Sequence, residues 1–197
     1  MKMSVMLSIL LLLVASVIFY QGYIYSEYNN VIIEIDTLES QNISEKKIKI
    51  IDDFRSNRWF WPLQKYPSLD ILGINKRLDY NKAIALANVG KLDEAHRLFD
   101  NSGKSHDTKL AADSLYSQGN IALYQGNLKL AQKKWQQALE KYGTDFDSHV
   151  NLELVNQRIS QSKALAVSIQ AILNHRRSKD LGTPLRQFNS KKGPIKP

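Results

Sequence analysis

The 197-residue sequence predicts an all-α protein, with an N-terminal transmembrane helix followed by a short solenoid of helical hairpins. Three observations predict it. Met3 to Ser26 contains no charged side chain, and its centre, Leu7 to Phe19, is dominated by Leu, Ile, Val and Phe. Residues 112–139 read as two patterns of helical period, parted by the turn dipeptide Gly126-Asn127. Residues 76–100 repeat that pattern more weakly. Gly90, Leu92, Ala95 and Phe99 each precede Gly126, Leu128, Ala131 and Trp135 by 36 positions, which points to internal duplication.

The apolar run comes first. About 20 apolar residues suffice to cross the hydrocarbon core of a bilayer. Tyr20, Tyr23 and Tyr25 would then form an aromatic belt at the far interface. A cleaved signal peptide is the competing reading, but the run is long and no small-x-small site follows it cleanly. Residues 1–26 are therefore read as a single-pass signal anchor. Lys2 and the amino terminus precede the span, whereas the first basic residue after it is Lys46. That asymmetry places the N-terminus in the cytoplasm and the bulk of the chain outside it. In a bacterium this means the inner membrane and the periplasm.

Residues 27–43 follow as a stalk or linker. Ile32, Ile35 and Leu38 favour a helical stalk over an extended one. Asn42-Ile43-Ser44 fits a glycosylation sequon, relevant only in a eukaryotic secretory route. Residues 44–75 hold a capping helix and an aromatic segment. Ser44 is a candidate N-cap, and Ile48, Ile51 and Phe54 carry the helix towards Trp59. Adjacent Asp52 and Asp53 point about 100° apart on a helix and read as a solvated edge, not a catalytic pair. Pro62 and Pro67 stop helix continuation. The rings of Trp59, Phe60, Trp61 and Tyr66 are expected to cover the open end of the stack, in preference to forming a membrane or partner patch.

Residues 76–173 form the repeats. Gly119 and Ala122 lie on one face of a first helix, and Ala131 and Ala138 on the facing side of a second, with Leu115, Leu128, Trp135 and Leu139 filling between them. Tyr80, Ala83, Ile84, Leu86 and Ala87 supply the first helix of the earlier unit, and Leu92, Ala95, Leu98 and Phe99 its second. A third unit begins with a helix over Asp145–Ser160, capped by Thr144 or Asp145, and Ala164–Leu173 is its capping continuation. Residues 174–197 hold seven basic side chains and one acidic one, Asp180, and read as a disordered tail. That tail could bind anionic headgroups or simply solubilise. It carries six of the net eight positive charges, so the body is nearly neutral and nucleic-acid binding is not indicated.

The spacing of Gly119, Gly126, Leu128, Ala131, Trp135 and Ala138 resembles a tetratricopeptide repeat, with Gln118 and Ala122 standing where the motif has Leu and Tyr, and Gly143 where it has Pro. In such a stack the first helices line a concave surface that takes extended peptides. The resemblance implies partner-facing positions at Arg77, Tyr80 and Asn88, at Asp113, Tyr116, Asn120 and Tyr124, and at Asp147 and Asn151. Gly119-Asn120 and Asn151-Leu152-Glu153-Leu154-Val155 further resemble small repeat proteins encoded with MoxR-type ATPases and von Willebrand A-domain proteins. The single-span architecture is similar to the MxaK-type accessory family of methanol dehydrogenase maturation. This resemblance implies scaffolding during calcium insertion into a secreted enzyme, with those operon products as partners.

No catalytic motif, phosphate-binding loop or cofactor site is legible, and the chain reads as a non-enzyme. His96, His106, His149 and His175 are dispersed. Without cysteine there are no disulfides or thiolate metal sites. Asp145-Phe146-Asp147 starts like a calcium loop, but Val150 and Asn156 occupy the places of its Gly and Glu. Three other readings stand beside the maturation scaffold. These are a general envelope-assembly adaptor, a subunit holding an ion on Asp145, Asp147 and Glu153, and self-assembly through the Trp59–Trp61 patch.

Overall fold

The computed structural model describes residues 2–38, 42–144 and 146–182, with side chains described over 3–38, 42–144 and 147–174. Among these residues every regular element is a helix. The chain divides into two compact units, Met1–Val155 and Asn156–Pro197.

The first unit opens with α1, Lys2–Asp36, which has two halves of different character. Met3 to Phe19 buries no side chain, and the helix is long and apolar enough to cross a membrane. Beyond it, Gln21, Ile24, Tyr28 and Ile35 are buried, at spacings that return to one side of a helix. Ile24, Tyr28 and Ile35 join Ile51, Phe60, Leu63, Ile74 and Leu78 in one core cluster. The stretch expected as a stalk is thus helical through Asp36 and built into a core.

Helix α2, Ile43–Ser56, begins one residue before Ser44. The cap position falls to Asn42, whose φ of 68° lies in the left-handed region that Asn tolerates better than most residues, and no side chain caps it. The expected Ser44 cap is therefore incorrect. The helix also ends short of Trp59, because the Asn57 side chain accepts a hydrogen bond from Trp59 N (3.0 Å) and turns the chain. A short α3, Trp61–Lys65, and a 3-10 turn, Pro67–Leu69, follow, each with proline in its first turn.

This turn overrides the expectation for the aromatic segment. Phe60 and Leu63 point into the core at 1% and 0% exposure, while Trp59, Trp61 and Tyr66 remain about half exposed. One ring of the four is covered, since a helix this short can bury only one side.

Two hairpins complete the unit: α4, Ile74–Asn88, with α5, Leu92–Ser102, and α6, Thr108–Tyr124, with α7, Leu128–Lys141. Their turns match bond for bond. Lys91 N donates to Leu86 O (2.9 Å) and Gly90 N to Ala87 O (3.0 Å), and at the same offsets Asn127 N donates to Ala122 O (2.8 Å) and Gly126 N to Leu123 O (2.9 Å). Gly90 and Gly126 carry φ of 80° and 76°, a left-handed conformation that costs glycine nothing. The interiors match by volume exchange. A Cβ on Gly119 would lie 2.4 Å from Trp135 Nε1, so the indole requires glycine there. The first hairpin puts Ala83 and Phe99 at the equivalent positions, both buried in one cluster. A buried pair of hydroxyls, Ser102 and Ser114 (2.8 Å), links α5 to α6.

The last helix, α8, is Phe146–Gly182. Its first turns belong to the first unit and bury Ser148 and Val155. From 160 to 174 every side chain is exposed, Leu165, Val167, Ile169, Ile172 and Leu173 among them. Ala164–Leu173, expected as the capping helix, belongs to the second unit, and its apolar side chains are exposed. The helix also continues past 174 to Gly182, into the stretch expected to be disordered. Residues 183–197, and the expected Asp145 cap, lie outside the described residues.

Candidate partner-binding face

The nine expected partner-facing residues divide into an engaged group and an open one. Arg77, on α4, pairs with Asp107 at 2.7 Å. That carboxylate also caps α6, accepting from Lys109 N (3.1 Å) and Leu110 N (3.2 Å). Tyr80 packs edge-on against Phe99, with centroids 5.8 Å apart, and shares a hydrogen bond with Ser117. Burial, and then the negative charge of Asp113, push its phenol above the ordinary value of 10.0. Asp113 accepts from Lys109 Nζ at 3.0 Å, and this hydrogen bond raises Lys109 above its usual 10.5.

These residues line one recess of about 220 Å³, together with Asn81 and with Tyr28 of α1. The side of the first hairpin that carries Arg77 and Tyr80 is thus partly occupied by the chain's own N-terminal helix. Tyr28 is hydrogen-bonded to Asn81 there. Sequence reasoning missed this because it treated residues 27–43 as a spacer.

The second hairpin is more open. Tyr116 is half-buried; its carbonyl accepts from Trp135 Nε1 (3.2 Å) and its hydroxyl from Asn151 Nδ2 (3.2 Å). Asn120 is exposed, and Tyr124, at the end of α6, is 83% exposed. Asn88 holds the equivalent exposed place at the end of α4, and Asp147 is exposed at the start of α8. Asn151 and Tyr116 are therefore brought together, and Asn120 and Tyr124 lie one helical turn apart on the same helix. Tyr and Asn offer π-faces and amides, suited to stacking on side chains and to bonding a peptide backbone.

A second polar feature had no counterpart in the sequence reading. Asp79, 4% exposed, forms an ion pair with Arg55 of α2 and accepts a further bond from Asn101 of α5. Arg55 also donates to Asn75 O at 3.2 Å. The network borders a cleft of about 950 Å³ that includes Asn75, Lys76, His106 and Asp107. Nothing in the local pattern marked Asp79, because an acidic residue one helical turn from Asn75, Lys76 and Lys82 is ordinarily solvated. Gln118, where the repeat motif has Leu, is 1% exposed, and its side-chain carbonyl oxygen has no hydrogen-bond partner.

Among the described residues, no group of three or more His, Asp or Glu side chains could hold a metal ion. Asp145, one of the three candidate ion ligands, lies outside them. Compared with known proteins, no family model matches the sequence, and no curated protein matches it.

Proposed function

We propose that this chain is a membrane-anchored adaptor that holds partner proteins on the inner face of a short tetratricopeptide-like stack. The observation that carries the reading is the double character of α1. Its first half is apolar and wholly uncovered, and its second half is built into the same core as α2 and α4, the first helix of the first hairpin. A helix so divided tethers the hairpins at a fixed distance from a bilayer. The matched turns at Gly90 and Gly126 support the repeat reading. The exposed Asn88, Asn120 and Tyr124 support a polypeptide ligand. We read the chain as a non-enzyme with its bulk in the periplasm, in line with the scarcity of basic residues just after the span.

The specific role we favour is maturation of a secreted enzyme, alongside von Willebrand A-domain and MoxR-type proteins, as the resemblance around Asn151–Val155 implies. Crosslinking of the full-length protein in its native membrane, with mass spectrometry of the captured chains, tests this. Recovery of an A-domain protein, a MoxR-type ATPase or a secreted dehydrogenase is the expected result. Recovery of translocon or chaperone components would make it a general envelope-assembly adaptor. Asn120→Ala with Tyr124→Ala should lower capture several-fold while leaving the melting temperature unchanged, since both side chains are exposed. Undiminished capture by this variant would remove the inner face from the mechanism.

A further inference from the structure

Where α1 passes from uncovered to packed, the aromatic segment is fastened to it. Tyr20 donates its hydroxyl proton to Trp59 O at 2.7 Å. The next residue, Gln21, donates to Leu69 O, and about one turn on from Tyr20 the Tyr23 ring meets Trp59 edge-on with centroids 6.3 Å apart. A hydrocarbon core of about 30 Å takes up about 20 helical residues at about 1.5 Å each. Counted from Met3, the first residue after Lys2, that length ends near Tyr20 to Tyr23. Whatever is pinned to these tyrosines is held at the depth of the headgroups.

The chemistry of the pinned segment fits that depth. Trp59, Trp61 and Tyr66 are 50%, 52% and 47% exposed, although the core they flank is well packed. Each ring has a cation over it: Arg58 lies 4.9 Å from the centroid of Trp59, and Lys65 lies 4.8 Å from that of Trp61 and 5.6 Å from that of Tyr66. Amphipathic rings with Lys or Arg at their edge are the combination that favours the water–hydrocarbon boundary. There the ring faces meet glycerol and upper acyl chain, and the cations reach phosphate.

We propose that Arg58, Trp59, Trp61, Lys65 and Tyr66 form a collar that seats on the phospholipid headgroup layer beside α1 and fixes how the first hairpin faces the membrane. The inference rests on α1 spanning a bilayer, and its test separates the two. The full-length protein is reconstituted in phosphatidylcholine–phosphatidylglycerol vesicles whose acyl chains are brominated either near the glycerol or near the terminal methyl. Bromine quenches tryptophan emission on contact. The sequence has three tryptophans, and Trp135 is 1% exposed, so it serves as the internal control.

The expected result is strong loss of the Trp59 and Trp61 emission with the shallow label and a smaller loss with the deep one. The Trp59→Phe, Trp61→Phe double variant, which reports Trp135 alone, should be unaffected by either. If neither label quenches Trp59 or Trp61 in protein that resists alkaline carbonate extraction, the collar is overturned and the anchor stands. The same holds if the deep label quenches more than the shallow one. Release of the protein by carbonate would overturn the anchor and the collar together.

Discussion

A single absent methyl group organises the second hairpin. Gly119 sits mid-helix, where glycine costs about 1 kcal/mol relative to alanine, so a residue chosen for helix propensity alone would be Ala. The Trp135 ring, within 2.9 Å of where that Cβ would stand, decides otherwise. Gly119→Ala is expected to destabilise by about 1–3 kcal/mol through overpacking, because the clash outweighs the propensity gain. Adding Trp135→Phe should recover most of the loss, since the pair then copies Ala83 and Phe99. Urea unfolding followed by circular dichroism checks both, and a stable single variant would show that the ring has room to move. Tyr80 makes a prediction of a different kind. Its phenol is held above 10.0 chiefly by burial. A group whose folded-state pKa is raised contributes stability that is complete below its unfolded value and is lost as pH rises through the folded one. Lys109, raised above 10.5 by Asp113, acts in the same direction. Stability should therefore fall above about pH 10, and Tyr80→Phe, which cannot ionise, should make the fall shallower. Melting temperatures across that range, beside a phenolate absorbance titration, measure it; an unchanged slope would mean that Tyr80 ionises as freely in the folded protein as in the unfolded one.

Between helices, apolar periodicity and buried polar contacts divide the labour. The hairpins were legible in the sequence because Gly, Ala and a large apolar residue recur at fixed offsets, and the matching turn hydrogen bonds give that recurrence a physical cause. The ties across helices were not legible, since they depend on which polar residues meet in space. Arg55 and Asp79 are the clearest case: α2 and α4 are joined by an ion pair whose acidic member is nearly fully buried. The engaged half of the candidate face was hidden for the same reason. Arg77 and Tyr80 look like free surface until α1 is known to return beside them, whereas Asn120 and Tyr124 are exposed as their spacing implies. Asp79→Ala is expected to cost about 3–5 kcal/mol, because it leaves the Arg55 guanidinium partly buried and unpaired. Arg55→Ala with Asp79→Ala should cost less than the sum of the two single changes. Additivity in a denaturant-based double-mutant cycle would mean that the two residues contribute separately.

At the scale of the whole molecule, the question is where the apolar, uncovered part of α1 stops and the folded part starts. A signal peptide and an anchor share the apolar run, and its length alone favours the anchor. The packing adds a stronger argument. Cleavage near residue 26 would remove Gln21 and Ile24, both buried, together with the bond from Tyr20 to Trp59. Each large apolar side chain withdrawn from the core forfeits about 1.5–3 kcal/mol. Loss of Ile24 alone would thus take a sizeable share of the about 5–15 kcal/mol that holds a typical domain folded. Two shortened chains separate the alternatives. A chain beginning at Tyr20 keeps every buried residue of α1 and should unfold in urea with nearly the midpoint of the full-length protein. A chain beginning at Leu38 removes Ile24, Tyr28 and Ile35 from the cluster they form with Ile51, Leu63, Ile74 and Leu78, and should lose its cooperative transition. If the shorter chain unfolds as cooperatively as the longer one, the second half of α1 is a removable strut, and proteolysis there would free the hairpins from the proposed anchor. If it does not, α1 and the fold are one object, and the anchor proposed for its first half cannot be parted from the hairpins without unfolding the first hairpin's support.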